Sequence, residues 1–168
     1  KFHYSTDTRG SSPNWGNRRF DSFAMTDGPQ TAFYGLGGKG QPGSSLKDNS
    51  YKMDYATESP TTLPSNAYLS IARRAGSSYV NNAHGYMAGG GQYPGTARTK
   101  VDKIHFSSET TSQVPSADLP TMLNNNYGTS EASAGYSYGG IDNGSTWYSS
   151  VFKTTFATET TSTNPAAL

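Results

Sequence analysis

Residues whose side chains could bind a metal or transfer a proton are few and widely spaced in this sequence. Two of the three histidines, His3 and His105, stand at the same position of a repeated segment, where other copies carry Asp54 and Thr155. A metal site shared by the copies would need ligands that the repeat itself replaces, so we expect solvent-facing strand positions instead. His84 stands alone, with no carboxylate pattern beside it. The sequence predicts no catalytic residue, no metal site and no cofactor.

The chain contains no cysteine. Disulfides, thiolate zinc sites, iron–sulfur ligation and a cysteine nucleophile are therefore excluded. A glycine-rich stretch at residues 35–40 has the composition of a phosphate-binding loop. Such a loop is followed by a helix whose N-terminus faces the anion, whereas Gln41, Pro42 and Gly43 begin a turn. We expect a structural role for these glycines.

One segment occurs four times, with a lysine at its head and an aromatic residue three positions later. The head lysines are Lys1, Lys52, Lys103 and Lys153, spaced 51, 51 and 50 residues apart, and the aromatic residues are Tyr4, Tyr55, Phe106 and Phe156. A second marker, an aromatic strand ending in two glycines, recurs in phase at Gly37 and Gly38, Gly89 and Gly90, and Gly139 and Gly140. Two markers in phase indicate a tandem array with units of about 50 residues.

Each unit is predicted to contain four short strands. The first lies near residues 20–25, 76–80 and 127–130, and the second ends at the glycine pair. The third begins at the head lysine, with its aromatic residue pointing inward. The Ser/Thr/Asp/Glu run after it is predicted to be a turn, because short polar side chains hydrogen-bond to nearby backbone. The fourth strand is placed near Leu63, Leu119 and Leu168, and the absence of helical periodicity makes the chain all-β.

The chain contains few aliphatic side chains. Leu, Ile, Val and Phe number 21 of 168 residues, while Ser, Thr, Asn and Gly number 73. Low hydrophobicity predicts disorder only together with a high net charge, and the net charge here is +1. Twelve Tyr, seven Phe and two Trp residues can supply a core instead, because each large aromatic side chain buries roughly 150–250 Å². The charge gives no basic surface for nucleic acid, and no apolar stretch approaches the ~18 residues of a membrane span.

A period near 50 with two glycines after an aromatic strand resembles kelch repeats, and the resemblance covers essentially the whole chain. It implies four-stranded blades of a β-propeller, in which the glycine pairs are structural because neighbouring blades leave no room for a side chain. The tryptophan of the family pattern is missing. The Ser/Thr/Asn-rich composition of the chain is also similar to that of repetitive kelch-like proteins of marine bacteriophage and cyanophage virions. Kelch-type copper oxidases build their radical site from a cysteine cross-linked to tyrosine, so that chemistry is excluded.

The repeats do not amount to a whole number of blades. The single array, residues 1–168, contains about three and a third repeats, whereas closed propellers generally have four to eight blades. Two explanations stay open. The 168 residues form part of a longer tandem array, which we favour, or the open ends pair with another chain and cover exposed strand edges.

The loops after the glycine pairs differ most between units, and variable loops on a repeated scaffold commonly carry binding. Exposed Tyr and Trp side chains stack on sugar rings and anchor protein interfaces. The candidate ligand-binding residues are Tyr93, Trp147, Tyr148 and Trp15. The head lysines would present a cationic ladder to a glycan or an acidic partner, but we expect them to be outward polar residues that keep a strand soluble.

Residues 142–147, Asp-Asn-Gly-Ser-Thr-Trp, resemble a sialidase turn of the form Ser-x-Asp-x-Gly-x-Thr-Trp, with Gly140 in place of the serine. The segment occurs once, and neither an arginine triad nor a pair of catalytic carboxylates can be identified. These absences favour a non-enzymatic structural or recognition protein, and the resemblance to virion proteins implies that it belongs to a phage particle or extracellular surface and binds a host glycan or protein and other virion subunits. A sialidase-like enzyme and a bacterial surface-assembly scaffold without a ligand are the alternatives.

Overall fold

The computed structural model describes residues 2–3, 8–9, 18–41, 45–91 and 96–164. All regular elements in these ranges are β-strands, apart from two short 3-10 helices at Ser65–Ala67 and Pro115–Ala117. The predicted all-β class is therefore confirmed for the part of the chain that the structure describes. Of the residues singled out in the sequence, Lys1, Tyr4, Trp15, Tyr93 and Leu168 lie outside these ranges.

Sixteen strands follow one another in the described residues. They are β1 (Phe2–His3), β2 (Thr8–Arg9), β3 (Arg18–Phe20), β4 (Phe23–Thr26), β5 (Ala32–Leu36), β6 (Lys39–Gln41), β7 (Ser50–Asp54), β8 (Pro60–Thr62), β9 (Ser77–Val80), β10 (His84–Ala88), β11 (Val101–His105), β12 (Thr110–Gln113), β13 (Tyr127–Ser130), β14 (Ala134–Tyr138), β15 (Val151–Thr155) and β16 (Thr160–Asn164).

Three four-stranded antiparallel sheets contain most of these strands, each in simple up-and-down order. Sheet A is β4-β5-β7-β8, sheet B is β9-β10-β11-β12 and sheet C is β13-β14-β15-β16. Two further pairs, β1-β2 and β3-β6, are two-stranded. The first strands of the three sheets lie side by side, with β9 in contact with both β4 and β13. Each sheet corresponds to one unit of the repeat.

The first two strands of each sheet lie where the sequence predicts them. The second strands β5, β10 and β14 end immediately before the glycine pairs, as the sequence predicts. The third strands of the three sheets begin two residues earlier than predicted, so Lys52, Lys103 and Lys153 lie at the centres of their strands. Phe106 and Phe156 pack against the core, but Tyr55 remains 40% exposed, so the prediction that it points inward is wrong.

The fourth strands differ from the prediction. They lie in the Ser/Thr runs, at β8, β12 and β16, whereas Leu63 and Leu119 are buried in the connections that follow. The turns predicted in these runs are present at residues 55–57, 106–109 and 156–159, and each fourth strand begins in the polar residues that follow. Threonine is also β-branched and fits a pleated strand at the outer edge of a sheet, where much of its surface meets solvent.

The core consists of two apolar clusters, each shared by two sheets. The first joins Phe23 and Tyr34 of sheet A to Met87 and Ile104 of sheet B. The second joins sheet B to sheet C and is rich in rings: the Tyr86 ring lies 5.6 Å from the Tyr79 ring and 5.3 Å from the Phe156 ring. Each apolar cluster is formed by side chains of two neighbouring sheets. A chain with few aliphatic residues can therefore bury sufficient apolar surface, because neighbouring units share their core.

Glycines in the second strands allow the sheets to approach closely. A Cβ atom on Gly85 would lie 2.0 Å from Met25 Sδ of sheet A, and one on Gly135 would lie 2.0 Å from the Tyr79 ring of sheet B. The sheets therefore pack face to face with no space for a side chain at these two positions.

Candidate functional site

A cleft of about 580 Å³ opens where the three first strands begin. Four aromatic side chains of sheet C and its loop line it, namely Tyr127, Tyr138, Trp147 and Tyr148. Trp147 is 73% exposed and Tyr127 is 65% exposed, values that are high for large apolar side chains. The structure thus brings two of the predicted binding residues, Trp147 and Tyr148, into one cleft, while Trp15 and Tyr93 lie outside the described residues.

The loop that carries Trp147 is organised around Asp142. Its carboxylate accepts hydrogen bonds from the backbone N–H of Thr146 at 2.9 Å and of Gly144 at 2.8 Å, and from the Tyr148 hydroxyl at 3.1 Å. The Thr146 N–H in particular holds the pKa of Asp142 below its usual value. Because these bonds engage both carboxylate oxygens, the segment that resembles a sialidase turn is accounted for as a tight turn, which presents Trp147 to solvent.

Sequence reasoning missed Tyr127 and Tyr138. These residues are register partners on β13 and β14, and their rings lie 6.1 Å apart. Tyr138 directly precedes a glycine pair, the place where Leu36 and Ala88 stand in the other units. Comparison of the three units position by position would have identified it, since a tyrosine replaces smaller apolar residues there.

The polar part of the cleft is close to neutral. Asp21 is the acidic residue among the described lining residues, and it pairs with Arg74 Nη1 at 2.5 Å. Asp21, Ala75 and Asn125 all have positive φ, and each precedes the first strand of its sheet. The Ala75 N–H donates to the Asp21 carbonyl at 2.8 Å, and the Asn125 N–H donates to the Ala75 carbonyl at 2.6 Å. The base of the cleft is therefore a backbone ladder that joins successive sheets.

A second pocket, of about 530 Å³, lies between the loops at the other end of the first strands. Its three carboxylates already accept hydrogen bonds within the protein: Asp27 from Thr31 and Ala32, Glu159 from Tyr86 and Lys103, and Glu131 from Ser133 and Tyr136. Within the described residues no cluster of three or more His, Asp and Glu side chains is arranged to hold a metal ion.

His84 lines this second pocket. The sequence suggested that it stands alone, but the structure places a second histidine beside it. His84 lies directly opposite His105 across β10 and β11, with ring centroids 4.5 Å apart. Burial lowers the pKa of His84, and the neighbouring His105 and Lys103 lower it further. His105 is itself partly buried rather than fully exposed to solvent.

Two head lysines lie between sheets. Lys52 Nζ of sheet A lies 2.6 Å from Glu109 of sheet B, and Lys103 Nζ of sheet B lies 2.6 Å from Glu159 of sheet C. The expectation that these lysines are outward solubilising residues is therefore wrong for both. A strand position was correctly assigned to each lysine, but the face it occupies is covered by the next sheet.

All six residues of the glycine pairs have positive φ, between 64° and 103°. In sheets A and B the second glycine of the pair donates its N–H across to the next unit, from Gly38 to the Arg73 carbonyl at 2.9 Å and from Gly90 to the Leu123 carbonyl at 2.7 Å. Such φ values favour glycine, so the pair combines a left-handed turn with a backbone contact between sheets.

Comparison with known protein families finds none that matches this chain, and a search of curated proteins finds no similar sequence. The kelch-like resemblance rests on the repeat markers alone. None of the described helices has the length and apolar character needed to cross a membrane.

Proposed function

We propose that this chain is a non-enzymatic structural and recognition protein, a kelch-like propeller-type array that belongs to a phage virion or extracellular surface assembly and joins other subunits through sheet C. The open face of sheet C is defined here by Tyr127, Tyr136, Tyr138 and Lys153, together with the Trp147 loop beside it. A single observation carries the proposal. Tyr127 is exposed on this face at a position that is buried in both other sheets, and Trp147 at a position that is buried in sheet B.

The correspondence follows from the strand register, in which Tyr127, Ser77 and Phe23 each pair with the residue directly before a glycine pair. Tyr127 corresponds to Ser77 of sheet B, which is 1% exposed, and to Phe23 of sheet A, also 1% exposed. Trp147 corresponds to Ala97, which is 3% exposed. The next sheet covers Phe23 of sheet A, and Ser77 and Ala97 of sheet B. The open face of sheet C thus has the composition of an interface, because exposed aromatic clusters of this kind mark interaction sites.

Binding of a subunit accounts for this face better than catalysis does. Glycoside hydrolysis uses two carboxyl groups across the scissile bond, whereas the described lining of the cleft contains Asp21, already paired with Arg74. A glycan would also stack on Trp147 and Tyr127. The repeat correspondence favours protein, since the matching positions in the same molecule are protein interfaces.

Sedimentation velocity over a concentration series tests the proposal. We expect the full chain to self-associate, because copies of the chain are the simplest neighbouring subunits of such an assembly. The variant Tyr127→Ser/Trp147→Ala installs the sheet B residues, and it should remain monomeric. Tyr55→Ser is the matched control, an exposed aromatic residue outside the face, and it should associate like the wild type.

Glycan-array binding and sialoside hydrolysis measured on the same proteins separate the alternatives. Glycan binding that is lost in Trp147→Ala would replace the assembly function by sugar recognition. Turnover of a sialoside would establish an enzyme. A wild-type chain that stays monomeric at every concentration would contradict the proposal directly.

A further inference from the structure

We infer that the open face of sheet C is built to receive a further four-stranded sheet of this same repeat, with a glutamate of the incoming sheet held between Tyr136 and Lys153. This inference rests on the proposed function and names the partner of the same face. It follows from three contacts that join sheet A to sheet B and recur between sheet B and sheet C.

The first contact is a glutamate clasp, formed by a tyrosine and a lysine of one sheet around a glutamate of the next. Between sheets A and B, Glu109 accepts from Lys52 at 2.6 Å and from Tyr34 at 3.3 Å. Between sheets B and C the same contact recurs one unit later, where Glu159 accepts from Lys103 at 2.6 Å and from Tyr86 at 3.0 Å.

The backbone conformation of the glutamates supports a dedicated role for the clasp. Glu109 has φ of 52° and Glu159 has φ of 50°, both in the turn between the third and fourth strands. This left-handed region is disfavoured for residues with a side chain, because the Cβ atom approaches the following carbonyl oxygen. A glutamate that recurs there, and whose carboxylate lies between a tyrosine and a lysine, is placed for contact with the preceding sheet.

The second and third contacts are backbone hydrogen bonds. The second glycine of each pair donates to the next unit, as Gly90 does to the Leu123 carbonyl at 2.7 Å. The residue with positive φ before each first strand accepts from the next unit, as Ala75 does from the Asn125 N–H at 2.6 Å. Both contacts depend on geometry that glycine or a left-handed residue provides.

Sheet C carries the outgoing half of all three contacts. Lys153 Nζ lies 5.8 Å from the Tyr136 ring centroid, the same distance that separates Lys52 from the Tyr34 ring. Gly140 has φ of 103° and Asn125 has φ of 55°, matching their counterparts. Among the described residues, no carboxylate lies within ion-pair distance of Lys153, no acceptor takes the Gly140 N–H, and no donor reaches the Asn125 carbonyl.

Apolar and charge complementarity agree with this partner. Tyr127 and Tyr138 form a register pair, like Phe23 and Leu36 of sheet A, whose exposures are 1% and 0% because sheet B covers them. The Tyr136 hydroxyl donates instead to Glu131 of its own sheet at 3.2 Å, at an exposed site. An incoming glutamate would neutralise the Lys153 ammonium and give Tyr136 the acceptor that Tyr34 and Tyr86 have.

Hydrogen exchange on an extended chain tests the inference. A copy of residues 119–168 placed directly after Leu168 keeps the 50-residue spacing and supplies one further sheet. We expect exchange of the Gly140 amide to slow by about tenfold or more, toward the rate of the Gly90 amide, because it gains a backbone acceptor. The matched control carries Glu159→Gln in the added copy only, and it should lose most of that slowing.

The outcomes separate this inference from the proposed function. An unchanged Gly140 exchange rate in the extended chain would overturn the repeat sheet as partner. Equal slowing with glutamate and glutamine in the added copy would overturn the clasp. If either result appears while the wild-type chain still self-associates through Tyr127 and Trp147, the assembly function stands, and the neighbouring copy binds this face without the glutamate clasp.

Discussion

Sheets B and C have the same strand order and spacing, yet the same positions contain different chemistry. In sheet B, Arg73 lies in the segment before β9 and forms an ion pair with Asp102 of β11 at 2.7 Å. Both side chains are 0% exposed. The corresponding residues of sheet C, Leu123 and Phe152, lie in one apolar cluster. These two positions are therefore buried in both sheets, and they accept either a paired arginine and aspartate or two apolar side chains.

The two sheets also differ in what covers them. Strand β9 of sheet B lies between β4 and β13, and Ser77 and Tyr79 on it are buried. Strand β13 of sheet C contacts β9 on one side, and its residues are mostly exposed. The difference shows that burial in this protein is set by the neighbouring sheet rather than by the strand's own sequence.

Disruption of the buried ion pair should have the largest effect. Asp102→Ala leaves the Arg73 guanidinium buried without its carboxylate, and loss of one partner of such a pair lowers the free energy of unfolding by roughly 3–5 kcal/mol. The double variant Arg73→Leu/Asp102→Phe installs the sheet C residues and should regain most of that loss. Urea denaturation measures both, and a double variant as unstable as Asp102→Ala would show that the two sheets are not interchangeable here.

The covered and open faces of sheet C can be compared with two glycine substitutions. Gly135→Ala places a Cβ against the Tyr79 ring of sheet B and should lower the free energy of unfolding by roughly 1–3 kcal/mol through overpacking. A Cβ atom on Gly139 would lie 3.9 Å from the Tyr148 carbonyl oxygen, an ordinary van der Waals distance, so only the positive φ of Gly139 opposes Gly139→Ala. Thermal unfolding of the two variants should rank Gly135→Ala as the less stable, and the reverse order would contradict the packing described.

The clasp between sheets B and C should make a smaller contribution. Burial alone would raise the pKa of Glu159, but hydrogen bonds from Lys103 and Tyr86 outweigh it and hold the pKa below its usual value. Glu159→Gln should lower the free energy of unfolding by about 1 kcal/mol, because the pair is partly exposed. Since the folded pKa is depressed, this stabilisation is present above the unfolded pKa and is lost as the pH falls through the folded value.

A control for that measurement lies in the same sheet. Glu131 accepts hydrogen bonds within sheet C at exposed positions, so Glu131→Gln should leave the free energy of unfolding and its acid dependence nearly unchanged. Equal effects of the two substitutions in urea titrations at several pH values would remove the distinction between inter-sheet and local carboxylates.

Substitution of His84 in sheet B should have the smallest effect, a change in how the free energy of unfolding depends on pH. The depressed pKa of His84 means that its folded form stays neutral where the unfolded chain is already protonated, so stability falls as the pH drops below about 6.5. His84→Ala installs the residue found at this position in sheets A and C, Ala32 and Ala134. The variant should show a flatter stability profile between pH 7 and 5, and an unchanged slope would contradict the shift.

Several features of the candidate site were within reach of the sequence. Trp147 and Tyr148 were predicted because they stand in a variable loop, and they line one cleft. Tyr127 and Tyr138 were missed, since an exposed and a buried aromatic residue look alike when only their strand position is known. The fourth strands were misplaced because threonine suits both a turn and an edge strand, and the choice depends on pairing with the third strand.

The sequence by itself determined the repeat, the all-β class and the ends of the second strands, because these follow from local periodicity and from glycines that tolerate positive φ. The tertiary structure alone decided that Lys52 meets Glu109, that His84 faces His105 and that Arg73 is buried against Asp102. Lys52 and Glu109 are 57 residues apart. Contacts of that kind depend on how one sheet is placed against the next, and a pattern within a single strand carries no record of it.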